Sequence, residues 1–265
     1  MELHPFGGFL FRENYAGNTI AAYTYAVEEY FGKYSSLSKQ NLLDYKRFLI
    51  DTYKPGTVNV RIRAMNKYLE FERKPKLKIK SVRMPKNTFL ENVISQGEYE
   101  YLKKRLRAEP DLRWYFIVWT LAATGARISE LVRMRVEHVR AGRFDIFSKG
   151  GKIRRIYFPD ELRGELLEWM DRPSGPLFLN SRGKPITPRG ISIRLKELAE
   201  SYGVNPSVVH PHSFRHLFAK NFLQRDSDIS LLADLLGHET VETTRIYLRR
   251  SSDEQREFID RIVDW

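Results

Sequence analysis

The stretch Leu231-Leu-Ala-Asp-Leu-Leu-Gly-His-Glu-Thr-Val-Glu-Thr-Thr-Arg-Ile-Tyr247 holds the two features from which the rest of the chain is read. Leu231, Leu232, Leu235 and Leu236 recur at helical spacing and form an apolar face, and Gly237 stands where a helix ends in a left-handed cap. His238 therefore projects from a turn and not from a packed face. Nine residues on, Tyr247 lies in a second short segment in which Val241 and Ile246 face inward while Thr243, Thr244 and Arg245 stay polar. Taken alone, a tyrosine in such a segment is an ordinary amphipathic surface residue. Charged groups far upstream change that reading.

At roughly 100 to 200 residues per domain, a chain of 265 residues is expected to hold about two domains. Hydrophobic residues make up 42%, enough for packed cores. The formal net charge of +12 attracts a polyanion, with nucleic acid the commonest. Ribosomal and generally basic proteins share that balance, so charge alone decides nothing. The absence of cysteine excludes disulfides, thiol nucleophiles and cysteine-ligated zinc. Met1 to Leu10 lacks the basic start and apolar stretch of a signal peptide. The longest apolar run, Trp114 to Ala123, is far shorter than the ~20 residues of a membrane helix. The expectation is a cytoplasmic protein with no membrane segment.

The first third reads as a helical module. Asn18 is placed to cap a helix with Ile20, Tyr23, Val27 and Phe31 on one face, and Ser38 to cap another carrying Leu42, Tyr45 and Leu49. Thr57 opens a third, in which Val58, Ile62, Met65 and Leu69 keep one stripe while Arg61, Arg63 and Lys67 lie off it. Those cations suit a phosphate backbone, or simply a solvated face. From Arg73 to Lys86 there are seven basic residues, two prolines and no acid, which reads as an extended basic linker. Ser95 and Glu98 form a capping box that opens a new helix, and Leu112 to Thr124 is apolar enough to be a buried one. Arg143 to Phe147 and Ile153 to Phe158 are β-prone runs around Ser-Lys-Gly-Gly-Lys, a hairpin with glycines at its tip. Leu177 to Leu179 is a further candidate strand, and the chain from Thr187 onward reads as helices. The fold class is mainly α with a small β-hairpin (α+β). The divisions are a helical domain over 1–82, a basic linker over 83–93 and a mixed domain over 94–265 that ends in a helix over 253–265.

Within the mixed domain five pieces stand out. Arg127 follows the buried helix in Ala-Thr-Gly-Ala-Arg-Ile-Ser-Glu-Leu; Lys149 sits at the hairpin tip; His212 and Arg215, three apart on one helical face, lie in His-Pro-His-Ser-Phe-Arg-His; His238 and Tyr247 complete the set. Two arginines, a lysine, two histidines and a tyrosine with no clustered carboxylates suit an anion and not a metal. Arg127 alone is more simply a helix-end partner of Glu130, and His212 with Arg215 alone a basic surface.

In this order the residues resemble the tyrosine recombinases of the Xer and phage-integrase family, over essentially the whole chain. The family's sequence of Arg-Ile/Val-Ser-Glu-Leu, a hairpin lysine, His-x-x-Arg-His, Leu-Gly-His and a tyrosine nine residues further is met at Arg127, Lys149, His212 with Arg215, His238 and Tyr247. The resemblance implies a two-domain clamp on DNA, a SAM-like helical core-binding domain followed by a catalytic domain. It implies cutting and rejoining of double-stranded DNA at recombination sites through a 3′-phosphotyrosyl link and a free 5′-hydroxyl, with no metal, ATP or other cofactor. It also implies a tetramer on two sites, the C-terminal helix docking on a neighbouring protomer, with an accessory protein as a possible partner. Leu248 and Arg249 follow the tyrosine where housekeeping Xer proteins carry Thr-His, so chromosome-dimer resolution and mobile-element integration both stay open. A type IB topoisomerase and a DNA-binding accessory factor with an unused site are the competing functions.

The chemistry gives each residue a task. Arg127 and Arg215 would hold the non-bridging oxygens, on which attack builds charge. The phenol of Tyr247 needs a proton acceptor before it can attack, and His212 is the candidate. His238 would hydrogen-bond the phosphate, and Lys149 would protonate the leaving sugar oxygen. Lys152 competes with Lys149 for that task, with the family pattern favouring the first. Glu130 and His216 would brace the site.

Overall fold

A computed structural model describes residues 4–84, 92–147, 153–248, 256 and 259–263. The chain divides into two compact units, Met1–Lys86 and Asn87–Trp265, each with its own core. Among the described residues no helix is long and apolar enough to cross a membrane.

Among the described residues the first unit has four α-helices, α1 (His4–Arg12), α2 (Gly17–Phe31), α3 (Lys39–Thr52) and α4 (Pro55–Phe71). The stripe Val58, Ile62, Met65 and Leu69 is buried along α4, against Val27 and Tyr30 of α2 and Leu42, Tyr45 and Leu49 of α3. Ser38 caps α3, its hydroxyl accepting from the Asn41 amide at 3.1 Å. Asn18 is not a cap: α2 begins at Gly17 with Ala16 as its N-cap residue. Likewise α4 begins at Pro55, whose missing N–H costs nothing at a helix start, and Thr57 lies inside its first turn. Helix α1 forms although Gly7 and Gly8 lie within it, because burial of Phe6 and Leu10 outweighs their low helix propensity.

The basic segment after Arg73 opens with a 3-10 turn over Pro75–Leu77 and runs without regular structure from Lys78 to Met84, and through Val82 it packs on α4 and is not a linker. Asn59 and Asn66, two turns apart on α4, each accept from and donate to one backbone residue of the segment, as a neighbouring strand would. Asn66 bonds Ile79 at 3.0 and 2.9 Å, and Asn59 bonds Val82 at 2.8 and 3.0 Å. Ile79 is buried in the core. Two of the three cations assigned to a phosphate backbone are engaged internally. Arg61 pairs with Glu29 at 2.9 Å, and Lys67 bridges Glu13 and Glu70.

The second unit contains α5 (Gln96–Arg107), α6 (Arg113–Thr124), α7 (Ile128–Leu131), α8 (Val136–Arg140), the antiparallel pair β1 (Arg143–Phe147) and β2 (Ile153–Tyr157), α9 (Asp160–Trp169), α10 (Pro188–Ser201), α11 (Pro211–Arg225), α12 (Ile229–Leu236) and α13 (Val241–Thr244), followed by a 3-10 turn over Arg245–Leu248. The Ser95–Glu98 capping box is formed in full at the start of α5. Helix α6 is buried from Tyr115 to Leu121 and packs on α11. The hairpin pairs Arg143 with Tyr157 and Phe147 with Ile153. Leu177 to Leu179 forms no strand; only isolated bridges join Arg135 to Pro176 and Leu179 to Pro185. Of the expected C-terminal helix, residues 256 and 259–262 are helical, with Ile259, Ile262 and Val263 exposed.

Candidate active site

Helix α12 ends as its sequence dictates, on Gly237 in the left-handed conformation (φ 63°, ψ 50°). A helix end leaves carbonyls without intrahelical partners and carries partial negative charge. Here three successive carbonyls are each met by an arginine from a different part of the unit. Arg154 of β2 donates to Leu235 at 2.8 Å, Arg215 of α11 to Leu236 at 2.6 Å, and Arg127, before α7, to Gly237 at 2.9 Å. Three guanidiniums would repel one another elsewhere. The helix terminus and the buried carboxylate of Glu130 offset that repulsion.

Glu130 is the hub of this arrangement. It accepts from the Arg127 amide at 2.7 Å and the Arg127 guanidinium at 2.8 Å, and it pairs with Arg154. Burial by itself would raise its pKa, yet Arg154 and the Arg127 hydrogen bonds hold it below the usual carboxylate range. Glu130 thus joins Arg127 to Arg154. Arg154 was not among the residues singled out, although the strand carried the signal: it alternates in phase with Ile156, on the face that points into the core.

Arg215 is 1% exposed and donates a second bond to the Gly125 carbonyl at 2.7 Å. Burial first, then the fields of Arg127 and Arg154, lowers its pKa to about 10, still charged at neutral pH. Its Nη2 also lies 3.0 Å from His238 Nε2, while its Nε–H is buried without a partner. His238 Nδ1 lies 2.7 Å from the Thr244 hydroxyl. Thr244, read as part of a polar face, is in fact fully buried, and Val241, read as inward, is 40% exposed. In this orientation the hydroxyl bonds the imidazole, a partner that hydropathy does not reveal.

Tyr247 is 5% exposed, so the surface-residue reading fails. Its ring is stacked on His238 at 5.9 Å between centroids and meets His216 edge-on at 5.0 Å. It closes a small core with Ala219, Leu232 and Leu236. His212 stands one ring further out, 5.7 Å from His216. Burial, reinforced by neighbouring cations, lowers all three histidines, with His216 and His238 reaching about 4. His210 is structural: its Nδ1 caps α11 by accepting from the Ser213 amide at 3.1 Å. Lys149 and its rival Lys152 lie outside the described residues. Five of the six singled-out side chains thus fall in one neighbourhood, brought from four separate segments.

The fold and site define a class: a mostly helical domain with a small hairpin, whose buried guanidiniums, neutral imidazoles and a phenol converge around a helix terminus. The family model for the phage integrase family matches residues 92–254. The chain belongs to that family, the tyrosine recombinases. Among its relatives, tyrosine recombinase XerA of Pyrococcus furiosus is 29% identical, covering 98% of this chain and 93% of that one. Tyrosine recombinase XerC of Herpetosiphon aurantiacus is 31% identical over 89% of this chain and 86% of its own. The integrase of transposon Tn1549, solved in complex with circular intermediate DNA, shares the fold with a TM-score of 0.72 at 17% identity, covering 97% of each chain.

Proposed function

We infer that this protein cuts and rejoins double-stranded DNA at specific sites through a covalent link at Tyr247. The observation that carries this reading is the convergence of Arg127, Arg215 and the Tyr247 phenol around one helix end, with the Arg215 Nε–H buried and unpaired. Buried donors short of an acceptor suit an oxyanion. The net charge of +12 favours DNA as its carrier.

In the proposed reaction the Tyr247 oxygen attacks a backbone phosphorus. The bond to the 5′ oxygen breaks, leaving a 3′-phosphotyrosyl link and a free 5′-hydroxyl. Arg127 and Arg215 hold the non-bridging oxygens, and His238 donates to one of them. His212 takes the phenol proton; His216, held at about 4, is a weak base despite touching the ring. Lys149 protonates the departing oxygen. Attack by the hydroxyl of a second strand reverses the step on a new partner and conserves the bond energy, so neither ATP nor metal is required. A first unit over 1–82 that grips DNA beside the site, a linker over 83–93, a tetramer on two sites joined through the exposed Ile259, Ile262 and Val263, and an accessory protein extend the proposal.

The test incubates the full chain, in EDTA, with a pool of duplexes nicked so that a cleaved fragment diffuses away. An adduct that survives denaturing detergent and maps to Tyr247 is expected for the wild type and absent for Tyr247→Phe. Tight sequence-specific binding with no adduct would instead point to an accessory DNA-binding factor.

A further inference from the structure

We propose that Thr244 is the positioning residue that, together with Arg215, fixes which ring nitrogen of His238 carries the proton, and that its hydroxyl, by turning from acceptor to donor, converts His238 from a partner of Arg215 into a donor to phosphate. The first half stands on hydrogen bonds within this chain. The second half rests on the reading of Arg127 and Arg215 as a phosphate clamp.

Both nitrogens of His238 are engaged, Nε2 with Arg215 Nη2 at 3.0 Å and Nδ1 with Thr244 Oγ1 at 2.7 Å. A guanidinium has donors and no acceptor, so Nε2 must present its lone pair. Burial, with the fields of Arg215, Arg127 and Arg154, keeps the ring neutral. The single ring proton is therefore on Nδ1 and is donated to the Thr244 hydroxyl. In that state His238 offers an oxyanion no N–H at Nε2, and one Arg215 N–H is spent on the imidazole.

A threonine hydroxyl can both accept and donate. Rotated to donate to Nδ1, it favours the other tautomer: the Nδ1 proton leaves to solvent, a solvent proton binds Nε2, and the ring stays neutral. His238 then points an N–H at the site, and the Nη2–H of Arg215 that had bonded Nε2 is released. The bonds of Arg215 to the Gly125 and Leu236 carbonyls hold its plane in place throughout. One hydroxyl rotation thus frees two donors together. Thr244 is suited to this because it is fully buried and lies three residues before Tyr247, so its oxygen is fixed relative to the nucleophile.

The experiment records long-range proton–nitrogen spectra of the full chain labelled with 15N-histidine, with His238 assigned through His238→Gln. In the wild type and in Thr244→Ser, Nδ1 is expected to carry the proton, and saturating inorganic phosphate to move it to Nε2. The near-isosteric Thr244→Val, checked for an unchanged circular dichroism spectrum, is expected to lose the Nδ1 preference. Its adduct formation on nicked duplexes should fall roughly 10- to 100-fold, as for other groups that orient an active histidine, with Thr244→Ser restoring it. A wild-type Nε2–H tautomer without phosphate, or a Thr244→Val spectrum like the wild type, overturns the role of Thr244. An Nδ1 proton that phosphate leaves in place overturns the switch. Spectra as expected with no adduct from the wild type would keep the role of Thr244 and remove the recombinase reading.

Discussion

Arg154 shows how much of this site is support. Its guanidinium is buried with the Glu130 carboxylate, and it also donates to the end of α12. Removing one partner of a buried ion pair leaves the other charge desolvated and uncompensated, which costs far more than the pair contributes. Arg154→Met is therefore expected to lose roughly 3–5 kcal/mol in urea denaturation, less whatever Arg127 recovers for Glu130. Arg154→Met with Glu130→Gln should lose less than Arg154→Met alone, because no bare charge remains. Equal losses would mean that Arg154 acts through packing. Tyr247 depends on the same supports, since His238 follows Gly237 directly and stacks on its ring.

At the scale of the element, the end of α12 organises the site. Gly237 is needed there twice over. Its φ of +63° disfavours any side chain, and a Cβ would stand 2.3 Å from the Arg154 Cδ. Gly237→Ala is expected to lose the ~1–2 kcal/mol of a left-handed alanine and more, because Arg154 must also move off the Leu235 carbonyl. Gly183→Ala supplies the comparison: its φ is +69°, but nothing lies within 4 Å of the added Cβ, so only the backbone cost applies. Thermal melts of the two variants separate the contributions, and equal shifts would show that Arg154 adapts freely. The hairpin, in turn, ties its strand to α12 through Arg154.

At the scale of the molecule, two separate cores predict two folding units. Met1–Lys86 buries Phe6, Leu10, Tyr30, Tyr45, Ile62 and Leu69 within itself, and the segment to Val82 belongs to that unit through Asn59 and Asn66. Residues 1–86 expressed alone are expected to show a helical circular dichroism spectrum and a cooperative melt; a structureless fragment would show that the division is wrong. The amino-acid sequence determined the elements whose cause is local: the α4 stripe, the caps at Ser38 and Ser95, the glycine stop at Gly237 and the hairpin all follow from periodicity, side-chain hydrogen bonds to neighbouring amides, or a backbone angle that glycine tolerates. The set Arg127, His212, Arg215, His238 and Tyr247 was legible as an ordered series of residue types. Only the tertiary structure decided the docking of Ile79, the helix over Gly7 and Gly8, the ion pair of Arg154 with Glu130 and the pairing of Thr244 with His238. Each of these depends on a partner distant in the chain or on a hydrogen bond that competes with hydropathy, and neither leaves a periodic trace in the sequence.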